Sequence, residues 1–228
     1  MIAMQAANTL HSPMKTSLAI LTLTLATLTP LAFPAENNGN FPQRQPAGAR
    51  PNIQQGTLKD GDAAPDFALQ DIEGKKTVKL SELKGKPVVL IFGSCTCPPF
   101  VASTQATGRL YADYKDRVHF YLIYIREAHP TDGWVMPGNQ FVVKSPKTIE
   151  ERRGIARDFA KRINVSIPIL VDTHDDRVEK TYACWPNRMY ILDAQGKIAD
   201  KGMAGPGGTA MSAQRAPQVL DRLLQGKK

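Results

Sequence analysis

Three cysteines are the groups in this 228-residue chain best able to do covalent chemistry: Cys95, Cys97 and Cys184. Two of them lie one residue apart, in Gly93-Ser94-Cys95-Thr96-Cys97-Pro98-Pro99-Phe100. Upstream, Pro87 to Phe92 is a continuous apolar, β-branched run, the pattern of a strand buried on both faces. Downstream, Val101, Thr104, Leu110, Tyr111 and Tyr114 recur at helical spacing. Proline suits the first turn of a helix, where its missing N–H would have no partner. Cys97 is therefore expected at a helix N-terminus that follows a central strand. Backbone donors and the positive end of the helix dipole stabilise an anion there, which predicts a depressed thiol pKa. A thiolate exposed at the carboxyl end of a central strand is a reactive nucleophile.

The rest of the chain supplies the elements that must hold this turn. Phe67–Gln70 and Thr77–Leu80 read as short strands around the turn Gly74-Lys75-Lys76, and Val118–Ile125 as another strong strand. Thr148-Ile149-Glu150-Glu151 is a capping-box pattern opening a helix with Ile149, Ala156, Phe159 and Ile163 on one face. Ile167–Val171 is a strand, and Asp175 or Asp176 could cap a short helix to Ala183. Met189–Leu192 and Lys197–Met203 flank Asp193-Ala194-Gln195-Gly196 as a β-hairpin, and a last amphipathic helix covers about Ala213 to Leu224. A β-α-β half followed by a β-β-α half predicts an α/β domain, a mixed central sheet flanked by helices. That is the plan of the thioredoxin-like fold.

Within that plan the exported disulfide reductases carry Cys-Pro-Pro-Cys at the turn. Here Phe100 replaces the second cysteine, so the usual resolving thiol is missing and Cys95 lies upstream instead. Pro186, in Cys184-Trp185-Pro186, is a candidate for the cis-proline that abuts the reactive cysteine in such folds. Cys184 is then a candidate resolving thiol, against the alternative of a packed, inert cysteine. Trp134 and Trp185 either line an aromatic-substrate cleft or belong to the core. Cys95-x-Cys97 with a histidine is also a soft site for Cu(I), the one reading outside enzymology.

Two strings make the sequence specific. Phe92-Gly93-Ser94-Cys95-Thr96-Cys97-Pro98-Pro99-Phe100 closely resembles the active-site string of the iodothyronine deiodinases, with Cys97 where that family has selenocysteine. Tyr124-Ile125-Arg126-Glu127-Ala128-His129-Pro130-Thr131-Asp132-Gly133-Trp134 resembles a second block of the same family. Val171-Asp172-Thr173 and Arg188-Met189-Tyr190-Ile191 match weaker strings further on. The resemblance implies an oxidoreductase that removes halogen from iodinated phenolic compounds, with Cys97 as nucleophile and Arg188 holding substrate. It implies Glu127 and His129 as a proton-handling pair, His129 the general acid and Glu127 orienting it and raising its pKa. The rival for His129 is a loop histidine bonded to Asp132. Arg126 departs from the family's first glutamate, sulfur replaces selenium, and the histidine expected before the next helix is absent, with Pro146 near its place. A thiol peroxidase or disulfide reductase is the nearest alternative activity. No cofactor or metal is expected beyond an external thiol reductant; the substrate is an aromatic halide or a thiol or disulfide.

Outside this domain the sequence says less. A lysine, Lys15, precedes an apolar run from Leu18 to Leu28 and small residues to Ala35. Residues 1–35 read as a signal peptide or N-terminal anchor, so the protein is expected to be exported, periplasmic or extracellular. Residues 36–58, rich in Asn, Gln, Pro and Gly, read as a disordered linker, and 59–228 as the thioredoxin-like domain. A membrane tether through the leader and a homodimer stay open. The net charge of +8 is spread along the chain with no basic block, which speaks against nucleic-acid binding.

Overall fold

The computed structural model describes residues 52–226, so the leader and most of the linker lie outside the described residues. Seven strands form one sheet in the order β2-β1-β5-β4-β3-β6-β7. They are β1 (Ala68–Asp71), β2 (Thr77–Lys79), β3 (Val88–Gly93), β4 (His119–Tyr124), β5 (Ile169–Val171), β6 (Arg188–Leu192) and β7 (Ile198–Lys201). Four helices interleave them: α1 (Pro98–Tyr114), α2 (Ile149–Ile163), α3 (Arg177–Tyr182) and α4 (Gly208–Gln225). Strands β3, β4 and β5 run parallel, while β1, β2, β6 and β7 pair antiparallel. This is the mixed, helix-flanked sheet that the order of elements predicts.

Register explains where the chemistry collects. β3 is buried along its whole length, as its unbroken apolar run requires. Its last residue, Gly93, pairs in parallel with Tyr124, the last residue of β4. Both strands therefore leave the sheet at one edge, carrying Cys95 and Cys97 on one side and Glu127 and His129 on the other. β6 runs the opposite way and enters at that same edge, with Arg188 opposite Phe92. The segment Cys184–Asn187 is thereby delivered beside the cysteine turn, and its Trp185–Pro186 peptide bond is cis.

Phe100, which stands where a second cysteine would resolve the first, is a core residue. Its ring packs on Phe159 of α2 at 5.8 Å, and Phe159 also touches Tyr124 and Phe141. Gly93 makes room for it, because a Cβ there would lie 2.2 Å from the Phe100 ring.

Three boundaries differ from the sequence reading, each for a local reason. Thr148 caps α2 as expected, accepting from Glu151 N at 3.1 Å. For α3 the expected Asp175 or Asp176 cap is replaced by Asp172, at the end of β5, whose carboxylate accepts from Val178 N and Glu179 N. Asp176 occupies the cap position with a left-handed φ of 58° and makes no cap bond with its side chain. α4 begins at Gly208, five residues ahead of the apolar pattern, where the side chain of Asn187, in the loop before β6, accepts from Thr209 N and Oγ1 in its first turn. Finally, residues 52–58, assigned to the linker by composition, lie against the domain: Ile53 and Leu58 pack on the core. Two apolar residues in a polar stretch escape a compositional criterion.

Candidate active site

Cys97 is the N-cap residue of α1, with Pro98 and Pro99 behind it, so the sequence places it correctly. Its surroundings are not those expected. Cys97 is only 1% exposed, and burial pushes its thiol pKa up; donors from Phe100 N and Asn187 offset this in part. The predicted depression is therefore wrong in sign. A helix end stabilises a nearby anion by roughly 0.3–2 kcal/mol, whereas removing an ion from water costs several kcal/mol.

Glu127 is buried beneath the cysteine turn. One carboxylate oxygen accepts from Tyr124 Oη at 2.6 Å. The other accepts from Thr96 Oγ1 at 2.5 Å and Thr96 N at 3.2 Å, with Cys95 Sγ at 3.6 Å. Burial raises its pKa despite these donors. Glu127 thus holds the Cys95-Thr96 peptide in place, and its bonds do not go to His129. Thr96 then ties the two loops together, since its hydroxyl also accepts from Ala128 N at 3.0 Å and His129 N at 3.1 Å. Cys95 itself is fully buried, and burial followed by the charge of Glu127 pushes its thiol far above the usual range.

His129 is oriented by another group. Its Nδ1 lies 3.0 Å from the carbonyl oxygen of Trp134, and its ring packs edge-on against the Trp134 indole at 4.2 Å. A carbonyl only accepts, so Nδ1 carries the proton and Nε2 is the proton-accepting nitrogen of the neutral ring. Burial lowers the His129 pKa, opposite to the expected rise. The rival partner, Asp132, bonds Ser145 instead.

Two further assignments change. Arg188 is fully buried, and its guanidinium donates to Gln54 O, Gln55 O, Gln55 Oε1 and Tyr190 Oη. The guanidinium that the resemblance assigns to substrate is thus engaged by residues 54 and 55. Cys184 is also fully buried; its Sγ lies 3.5 Å from Glu179 O, and burial drives its thiol well up. Arg126, the departure from the family string, pairs with Glu179 at 2.7 Å and stacks over Trp185 at 4.9 Å. Among the described residues no three His, Cys, Asp or Glu side chains converge to hold a metal ion, so the copper reading finds no third ligand.

Sequence reasoning missed three residues at this centre. Thr96 is the hub just described. Asn139 donates from Nδ2 to Thr96 O at 2.7 Å, pinning the long loop before α2 to the cysteine turn. Asn187 donates from Nδ2 to Cys97 Sγ at 3.3 Å. Only its position directly after the cis-proline candidate hinted at a role.

The family profile of iodothyronine deiodinase matches residues 52–223. The chain belongs to the iodothyronine deiodinase family. It is 33% identical over 157 residues to thyroxine 5-deiodinase of Gallus gallus, covering 68% of this chain and 60% of that one. It is 34% identical over 169 residues to type I iodothyronine deiodinase of Xenopus laevis, covering 74% and 64%. The chain thus spans about three-fifths of the length of these relatives. A candidate DsbE-type thiol:disulfide interchange protein from Chlorobium tepidum shares the fold, with a TM-score of 0.53 at 21% identity over 72% of this chain and 99% of that one. A candidate protein disulfide isomerase from Bacteroides thetaiotaomicron gives 0.53 at 22% identity, over 72% and 91%. These likenesses establish the thioredoxin-like fold.

Proposed function

We propose that this protein is a thiol-dependent reductive dehalogenase of iodinated phenolic compounds, working through Cys97. The observation that carries the reading is the tie, through Thr96, between the turn that places Cys97 at the N-terminus of α1 and the Glu127–His129 loop, in a chain of the deiodinase family. In the reaction, the Cys97 thiolate bonds to iodine while the carbon–iodine bond breaks, and its electron pair stays on the ring carbon. His129, having taken up a proton at Nε2, delivers it to that carbon. The products are the dehalogenated ring and Cys97 sulfenyl iodide. A second thiol attacks the Cys97 sulfur, forming a disulfide and releasing iodide and a proton; a further thiol reduces the disulfide. Cys184 is committed to the Glu179 carbonyl, so Cys95 or an external thiol is the better agent for that release.

The purified chain is assayed with dithiothreitol against iodotyrosine and thyroxine, and in parallel against hydrogen peroxide and insulin. Iodide release should be abolished in Cys97→Ser and reduced about 10²-fold or more in His129→Ala, the usual scale of general acid catalysis. Iodide release persisting in Cys97→Ser would sink the proposal. Turnover of peroxide or insulin alone would transfer the site to a thiol peroxidase or disulfide reductase.

We infer as well that the leader carries the chain out of the cytoplasm. No helix among the described residues is long and apolar enough to cross a membrane. Cell fractionation with N-terminal sequencing tests this.

A further inference from the structure

Asn187 is fully buried between two helix ends. On one side its Nδ2 points at Cys97 Sγ, 3.3 Å away, at the N-terminus of α1. On the other its Oδ1 accepts from Thr209 N at 3.2 Å and Thr209 Oγ1 at 2.8 Å, in the first turn of α4. The cap residue of α4 is Gly207, which has no side chain to offer, so the Asn187 amide performs that task from outside the helix. This settles the orientation of the amide. A backbone N–H can only donate, so the oxygen faces Thr209 and the NH2 group faces the sulfur. The approach is close: a Cβ at Gly208 would lie 2.1 Å from Met203 O and 3.6 Å from Asn187 Oδ1. Gly205 N also donates to Asn187 O at 3.2 Å, which fixes the backbone.

We propose that Asn187 is a catalytic residue that donates a hydrogen bond to the ionised sulfur of Cys97, and that Thr209 is the positioning residue that holds and polarises its amide. Hydrogen bonds in series strengthen one another. The donors at the start of α4 draw electron density toward Oδ1 and make the Nδ2 hydrogen a better donor. The sulfur is thereby served by two helix N-termini, α1 directly and α4 through one amide. In a site where burial opposes ionisation, this is the side-chain donor that favours the thiolate.

The inference rests on Cys97 as the nucleophile, and its test reads the sulfur without turnover. Failure of the amide's role and failure of the dehalogenase reading are therefore separate results. In a Cys95→Ala/Cys184→Ala background Cys97 is the sole thiol. The rate of alkylation by iodoacetamide against pH then gives its ionisation. Asn187→Ala should move the profile to higher pH by about one to two pH units, the equivalent of one lost hydrogen bond to a charged group. Asn187→Asp keeps an oxygen to cap Thr209 but presents no donor to the sulfur. It should shift the profile at least as far, whereas a purely structural role predicts none. In the unsubstituted chain, the Asn187 side-chain amide NMR signal should titrate together with Cys97. A native-like Asn187→Asp protein that titrates like its parent, or an amide signal indifferent to Cys97 ionisation, overturns the proposal.

Discussion

Replacing Thr96 with valine removes one oxygen atom from the candidate site and keeps the side-chain shape. That hydroxyl donates to Glu127 Oε2 at 2.5 Å and accepts from Ala128 N at 3.0 Å and His129 N at 3.1 Å, all of them buried. Ala128 N retains Ser94 Oγ at 3.2 Å, so one backbone N–H, that of His129, loses its acceptor. A hydrogen bond to a carboxylate contributes about 1.5–3 kcal/mol, and a buried donor left without a partner costs about 1–3 kcal/mol. Thr96→Val should therefore lower stability by about 3–5 kcal/mol, a large part of the 5–15 kcal/mol typical of a domain. Urea unfolding followed by the fluorescence of Trp134 and Trp185 should show a lower midpoint at unchanged slope. Thr96→Ser keeps the hydroxyl and should lose about 1 kcal/mol for the missing methyl. If Thr96→Val unfolds within about 1 kcal/mol of its parent, the Thr96–Glu127–His129 network does not hold the site together.

Two other perturbations probe the surroundings. Glu179 is buried beside Arg126, and burial holds its carboxyl at about 7 against an ordinary 4.5. A raised acid contributes stability in full below about pH 4.5 and loses it as pH climbs through about 7; the gap corresponds to about 3 kcal/mol. Between pH 5 and pH 8 stability should therefore fall by about 2.5 kcal/mol more in the parent than in Glu179→Gln, and equal slopes would contradict the assignment. Gly93→Ala drives a Cβ into the Phe100 ring, for which overpacking costs about 1–3 kcal/mol. Its melting temperature should drop and recover in part in Gly93→Ala/Phe100→Leu; an unchanged melting temperature would show that Phe100 moves freely.

The frame of the molecule was legible because its signals are local. The apolar run of β3, the proline pair opening α1 and the threonine cap of α2 each report on a few neighbouring residues, and each lies where those residues indicate. The site was legible only as far as single residues go. The cysteine turn and Glu127 meet, through Thr96, because β3 and β4 end in register, which the parallel β-α-β pattern implies. The partners of each group were not legible. Glu127 lies two residues from His129 yet bonds Thr96 and Tyr124, and Asn187 reaches Cys97 across 90 positions. Arg188, which the resemblance assigns to substrate, donates to the backbone of residues 54 and 55. Such pairings depend on long-range packing, which neither periodicity nor spacing records.

That packing decides the protonation state in which the site waits. Burial raises Cys97 and lowers His129, so it favours the neutral form of each. Trp134 O fixes the imidazole proton on Nδ1 and leaves Nε2 as base. In the reading proposed above, Cys97 must lose a proton before its sulfur attacks, and His129 must gain one at Nε2 before it protonates the ring carbon. The proton that sulfur must lose is the one that the ring carbon must gain, so His129 acts as a shuttle within the reading proposed here. A thiolate formed permanently by the helix end would have had to draw that proton from solvent. In that reading burial costs the nucleophile its standing charge and keeps the proton at the site, while the proposed Asn187 donor eases the charge that appears on sulfur during attack.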